Sequence, residues 1–377
     1  MRLRRRYLFA LLVMALSALL PTQVSAAGGD PVTLVADKLD TPRGVSMLSD
    51  LAIIAEAGHA ANTGQVSSVN TGTGAHHTIV GGLVSFASPE GGDILGVSGV
   101  SVAKDQIYAI FGANPRETGN PQAGQLVKVN QGSVSEIAQV GGFDDDWTAT
   151  PAAGTTQEHD SNPNAVLVTH NGFLVADAGS NTITSVSKNG KKLAIVHFFP
   201  NIYAGKFPHD EVPTCITSTD DALWVGTLSG HLWKLGEEGV TQVVPKDSSG
   251  KPLLSRVTGC TTGANNTLYL VNMFGPGEFG PQGPPPSFFR GTVVQYNTES
   301  GRGSELANSH DSPALQWPYT PAVGRDGNLY VTAGTICTSD GKVHGAPPGT
   351  PGCAGGGRLV KIHLASEDNQ EGGDNQN

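Results

Sequence analysis

Residues 158–186 read EHDSNPNAVLVTHNGFLVADAGSNTITSV and hold one whole structural unit with nothing inserted. Asn162-Pro163 opens it, residues 165–168 form a short apolar strand, and Asn171-Gly172 is a two-residue hairpin signal. A second strand at 173–176 ends on Asp177, and the polar turn Gly179-Ser180-Asn181 leads into a third at 182–186.

That order recurs along the chain: an inner strand led by Pro or Gly, a turn, a strand of the x-Leu-Tyr-Val kind, a loop, a Gly-led strand ending in Val, and a last apolar strand. Second strands are read at 51–55, 107–110, 173–176, 223–225, 268–271 and 329–331, starting 45 to 66 residues apart. Such spacing fits four strands plus variable loops. Units of this kind bury their faces only by stacking on neighbours. Four-stranded sheets set radially give an all-β fold, a six-bladed β-propeller with four antiparallel strands per blade.

The sixth unit stops at its third strand, 358–364, while the apolar residues 32–36 precede the first unit and have no place in it. The N-terminal strand is therefore expected to complete the last blade and close the ring; an open six-unit solenoid would leave two apolar edges bare. Residues 1–26 read as a secretory signal peptide, with Arg2, Arg4, Arg5 and Arg6 ahead of an apolar run and small residues near Ala26. An uncleaved anchor is the alternative, but the run is shorter than the roughly 20 residues a span needs. Residues 27–364 are assigned to the propeller and 365–377 to a disordered polar tail.

The leader carries four of the 23 basic residues and no acid, so 19 basic residues face 33 acidic ones, a net of −14. So acidic a surface excludes nucleic acid and anionic lipid as main partners. The expected product is an exported monomer without a membrane span, facing a small molecule or another extracellular ligand. Its four cysteines suit an oxidising compartment. Cys337 and Cys353 flank one Gly/Pro-rich loop and are paired, a closure worth about 3 kcal/mol; Cys215 and Cys260 then pair with each other. A four-cysteine zinc site is the rival, without Cys-x-x-Cys spacing.

Alternating strand direction puts the loop entering each first strand and the loop from second to third strand on one face of the disc. The large insertions, 113–123, 142–161, 273–290 and 335–357, are all of these two kinds. Binding chemistry belongs on that decorated rim.

The residues Asp160-Ser161-Asn162-Pro163, the run Val-Ala-Asp-Ala-Gly-x-Asn at 175–181, Ala-Glu-Ala-Gly at 55–58, Thr63-Gly64, Gly82-Leu83 and Val212-Pro213-Thr214 resemble the ScyD/ScyE family of secreted propellers across nearly all of 31–364. The resemblance implies an exported six-bladed propeller and carries no established reaction. The Pro/Phe-rich insertion at 274–289 and the cysteine-bearing insertion of blade six depart from the family pattern.

Asp160, Asn162, Asp177 and Asn181 fall on the decorated rim, and Glu56 occupies in blade one the slot of Asp177 in blade three. Oxygens from several blades suit Ca²⁺, and a bound metal beside a carboxylate could open a lactone or ester, as in gluconolactonase-type propellers of similar architecture. The same residues equally serve as Asx-turn and backbone-capping groups. The acidic run Asp144-Asp145-Asp146 is read as a solvated loop, with Ca²⁺ or a sugar stacking on Trp147 as the alternative. His59, His76, His77, His159, His209 and His310 show no metal-ligand spacing, and Ser85 and Ser161 sit in no nucleophile elbow. Phe274, Phe279, Phe288 and Phe289, around Pro284-Pro285-Pro286, form either an apolar ligand wall or inert loop packing. The reading is a secreted binding or accessory protein with its ligand site on the loop-rich face. Its alternative is a divalent-metal hydrolase using Glu56, Asp160, Asn162, Asp177 and Asn181.

Overall fold

The computed structural model describes residues 30–364 except 88–92, 155–156, 205–206, 277–288, 344–352 and 354, with backbone alone at 202–209. The expected leader and tail lie outside the described residues, as do Phe279, Phe288 and Pro284-Pro285-Pro286.

Six four-stranded antiparallel sheets form a six-bladed β-propeller. Blade one comprises Pro42–Leu48, Leu51–Glu56, Gly64–Asn70 and His76–Leu83. Blade two runs Ile94–Ala103, Gln106–Phe111, Gln125–Asn130 and Ser133–Gln139. Blade three is Pro163–Thr169, Gly172–Asp177, Thr182–Ser187 and Leu193–Phe198. Blade four is Pro213–Ser218, Ala222–Thr227, Leu232–Gly236 and Gly239–Val243. Blade five is Arg256–Thr262, Thr267–Phe274, Thr292–Asn297 and Gly303–Asn308. Blade six has Pro321–Val323, Leu329–Ala333 and Gly357–Ile362, and takes Val32–Leu39 as its outermost strand. Val32 pairs with Ile362 and Leu39 with Gly357, closing the ring as expected.

There is no single central core. Six apolar layers lie between successive blades, from Ile53, Val97 and Phe111 between blades one and two round to Ala36, Leu39, Ile54 and Tyr330 between six and one. Second strands are packed on both faces, so they read as near-continuous apolar runs; outermost strands such as Gly239–Val243 are largely exposed.

Both disulfides form. Cys215–Cys260 ties the inner strands of blades four and five, and Cys337–Cys353 closes the insertion of blade six. Non-reducing peptide mapping should recover these two pairs; free thiols at all four positions would contradict the assignment.

The hairpin in blade three differs by one residue from the sequence reading. Thr169 pairs with Gly172, so the turn is His170-Asn171 and Gly172 opens the second strand at φ +145°. A Cβ there would meet the Val186 carbonyl at 2.1 Å, so the glycine serves strand approach as well as turning. The described ends of the four large insertions lie on one rim, beside the paired positions Pro42–Glu56 and Pro163–Asp177.

Candidate functional site

The last residue of a second strand faces the loop that enters the first strand, so a polar side chain there can hold that loop's backbone. Asp177 does so in blade three: it is fully buried and accepts from Ser161 Oγ (2.6 Å) and from the N–H groups of Asn162 (2.7 Å), Gly179 (2.9 Å) and Ser180 (3.0 Å). Glu56 does the same in blade one, accepting from the Asp40 N–H (2.6 Å) and the Ser67 hydroxyl, with His76 Nε2 at 3.1 Å. The hydrogen bond to Glu56 raises the His76 pKa. Asn272, two residues before the end of its strand but opposite the start of the third, fills the corresponding position in blade five, accepting from the Ser255 N–H at 3.0 Å and donating to Leu253 O at 3.0 Å. Blade four reverses the roles, with Thr227 Oγ1 donating to Glu211 of the entering loop at 2.9 Å. Burial opposes ionisation of Glu211, but hydrogen bonds from His231, Thr227 and Trp233 hold it below the usual carboxylate range. Glu56 and Asp177 thus occupy equivalent slots and clamp loops with oxygens already engaged by the chain's own donors.

Asn162 Oδ1 accepts the Ala113 N–H at 3.0 Å, tying blade three to the insertion of blade two. Asn181, buried at φ +59°, accepts the Val212 N–H at 2.9 Å, which fixes its amide. Its Nδ2 then faces Gln157 Oε1 (3.1 Å), Asn201 Oδ1 (3.1 Å) and Asp210 Oδ1, three acceptors around one amino group. Burial raises the Asp210 pKa, with Glu158 adding to it. Asp160 accepts its own Ser161 N–H at 2.7 Å; burial, then the charge of Asp177, pushes its carboxyl up to about 7. Glu158 lies within electrostatic reach of both Asp160 and Asp210. The rim between blades three and four is therefore rich in acceptors, with one carboxyl held near neutrality.

The run Asp144-Asp145-Asp146 is not a solvated loop. It lies in the helix Val140–Thr148, which turns Asp144 and Asp145 inward and leaves Asp146 exposed. Asp145 accepts from Asn114 Nδ2 (2.7 Å) and pairs with Arg116 (3.0 Å), while Asp144 Oδ1 accepts from Thr184 Oγ1 (2.6 Å). Trp147 packs edge-on against Phe198 at 5.0 Å between ring centres.

A polar chain of contacts crosses the channel and touches every blade. Buried Arg43 donates to Asp93 (2.5 Å) and Ile94 O (2.7 Å), and its Nη1 reaches Tyr319 Oη at 3.4 Å. Tyr319 donates to Asn164 Oδ1 (2.8 Å), Asn164 to Thr214 O (2.6 Å), and Thr258 to Tyr319 O (3.1 Å). The plug is polar. Sequence reasoning missed Arg43, Gln157, Glu158, Asn201 and Asp210; the Pro-Arg-Gly opening of blade one's inner strand was the available signal for the first.

Among the described residues no three His, Cys, Asp or Glu side chains converge to hold a metal. His59 pairs with Asp40 (2.6 Å) and His310 with Asp311 (3.1 Å), each a single carboxylate contact. No helix among the described residues is long and apolar enough to cross a membrane.

No family model matches the chain, and no curated protein matches it by sequence. Among solved structures it is similar to a gluconolactonase from Xanthomonas campestris, at 9% identity over 89% of each chain with a TM-score of 0.50. It is also similar to a glucose dehydrogenase, at 13% identity over 89% of this chain and 99% of the other, again with a TM-score of 0.50. At those identities the likeness is one of fold.

Proposed function

We propose that this chain is an exported, monomeric binding or accessory protein of the ScyD/ScyE type, whose ligand sits on the loop-rich rim between blades three and four. The observation that carries this is the gathering of Gln157, Asn201 and Asp210 around the Asn181 amide, with Asp160 alongside at a pKa of about 7. Amide and carboxylate groups gathered on one rim suit a ligand rich in hydroxyls or carrying a cationic donor. Two disulfides agree with an oxidising compartment.

A second reading, hydrolysis of a lactone or related ester, is favoured by one feature: a carboxyl near neutrality can take and return a proton at working pH. If a Ca²⁺ ion assists there, Asp160 and Asp210 are the rim carboxyls that would meet it; the clamps Glu56 and Asp177 lie beneath the rim, holding its loops.

The test is NMR screening of the mature protein against sugars, sugar lactones and organic cations. Shifts should cluster at Gln157, Asp160, Asn181, Asn201 and Asp210; hits confined to the opposite rim would overturn the assignment. Hydrolysis of δ-gluconolactone above its spontaneous rate, abolished in Asp160→Asn, selects the second reading.

The raised pKa also sets a pH dependence. Asp160 holds its proton more tightly folded than unfolded, so its contribution is present below the unfolded value of 3.8 and is lost as pH rises through about 7. The melting midpoint of Asp160→Asn relative to the parent should therefore rise between pH 5 and pH 8. A difference independent of pH would contradict the burial of this carboxyl.

A further inference from the structure

Beneath the rim, helix Val140–Thr148 and the start of blade three's third strand enclose Asp144, Asp177, Ser161, Ser180, Thr182 and Thr184, each with no exposed surface. Every polar atom these side chains turn inward is an oxygen. The hydroxyls are linked in series: Ser180 to Thr182 at 2.7 Å, Thr182 to Thr184 at 3.5 Å, and Thr184 to Asp144 Oδ1 at 2.6 Å. On the other side Ser161 donates to Asp177 Oδ2 at 2.6 Å. One atom is left over: Asp144 Oδ2 is buried and has no hydrogen-bond partner.

Two carboxyl groups in one dry space need a positive counterpart, because burying uncompensated charge costs several kcal/mol or more. The neighbouring cation is already spent, since Arg116 pairs with Asp145 and Asp146. Among the described residues no ion pair reaches Asp144 or Asp177.

We propose that this nest is a structural cation site that takes Ca²⁺, with Asp144 and Asp177 as its charged ligands and the surrounding hydroxyls as neutral ones. The ligand chemistry selects the metal. A set of oxygens without nitrogen or sulfur suits hard cations rather than zinc or copper. Mg²⁺ keeps several waters and demands a near-octahedral shell, whereas Ca²⁺ accepts irregular protein oxygens, which suits a nest with no surface open to solvent. Two carboxylates balance one divalent charge. The ion would pin the helix, and with it the decorated loop at 142–161, onto blade three.

This site is separate from the open rim, and the experiment keeps them apart. Elemental analysis of the mature protein, purified without chelator, should find about one Ca²⁺ per chain, as a fully protein-ligated site requires. Refolding in excess EDTA should lower the melting midpoint, and added CaCl₂ should restore it. Asp144→Asn should abolish both the bound metal and the response, while Asp160→Asn retains them. If Asp144→Asn does not fold, the two measurements on the parent decide alone. Metal-free parent protein with the same melting midpoint in EDTA and in CaCl₂ would overturn the site and assign a proton to Asp144 in its place.

Discussion

Deleting residues 31–38 should abolish cooperative unfolding of the mature chain, the largest effect expected of any short deletion. The segment supplies most of Val32–Leu39, whose pairing with Gly357–Ile362 is the only link that makes blade six four-stranded. Its loss bares the edge of Gly357–Ile362, where Leu359, Val360 and Ile362 are all but fully buried. It also removes Ala36 from the layer between blades six and one, so the first and last blades no longer hold each other. A ring cut at one layer unfolds from its two free ends, as repeat arrays do. Circular dichroism and tryptophan fluorescence should then give broad transitions that no longer coincide. Trimming 366–377, which the sequence assigns to no blade, should leave the parent transition unchanged. A sharp, coincident transition in the 31–38 deletion would mean that the strand decorates the ring without closing it.

Asp177→Ala should cost about 4 kcal/mol or more of unfolding free energy, measured by urea denaturation in EDTA so that bound cation plays no part. The carboxylate serves three backbone N–H groups and one hydroxyl. Each buried donor left unpaired costs about 1–3 kcal/mol. Asp177→Asn keeps one acceptor oxygen and should lose less, about 1–2 kcal/mol. A loss below about 1 kcal/mol for the alanine variant would contradict the clamp, because that is the net worth of a single ordinary hydrogen bond.

The blades were legible because a second strand packed on both faces must be apolar almost throughout, as Leu268 to Val271 are. Equivalence of Glu56 and Asp177 was legible too, since each ends such a strand. Their task was not: it depends on N–H groups of a loop that only the folded blade brings opposite. The helix at 140–148 escaped notice because Gly141-Gly142 and three consecutive aspartates are poor helix formers, so nothing in the spacing announces that Asp144 turns inward. Gln157 comes from the loop entering blade three, Asn181 from the turn before its third strand, and Asn201 and Asp210 from the connection to blade four. Their meeting is a product of two neighbouring blades, invisible to any local pattern. Arg43 escaped for the same reason, since its partners Asp93 and Tyr319 stand at the entries to blades two and six.

The most direct measurement of the functional account is the titration of Asp160, followed by carboxyl carbon NMR in the mature protein. A midpoint near 7 is expected if the rim between blades three and four holds this group in a partly buried, negatively charged setting ready for a ligand. A midpoint near 4, the value of a solvated aspartate, would contradict it and remove the reason to place function there.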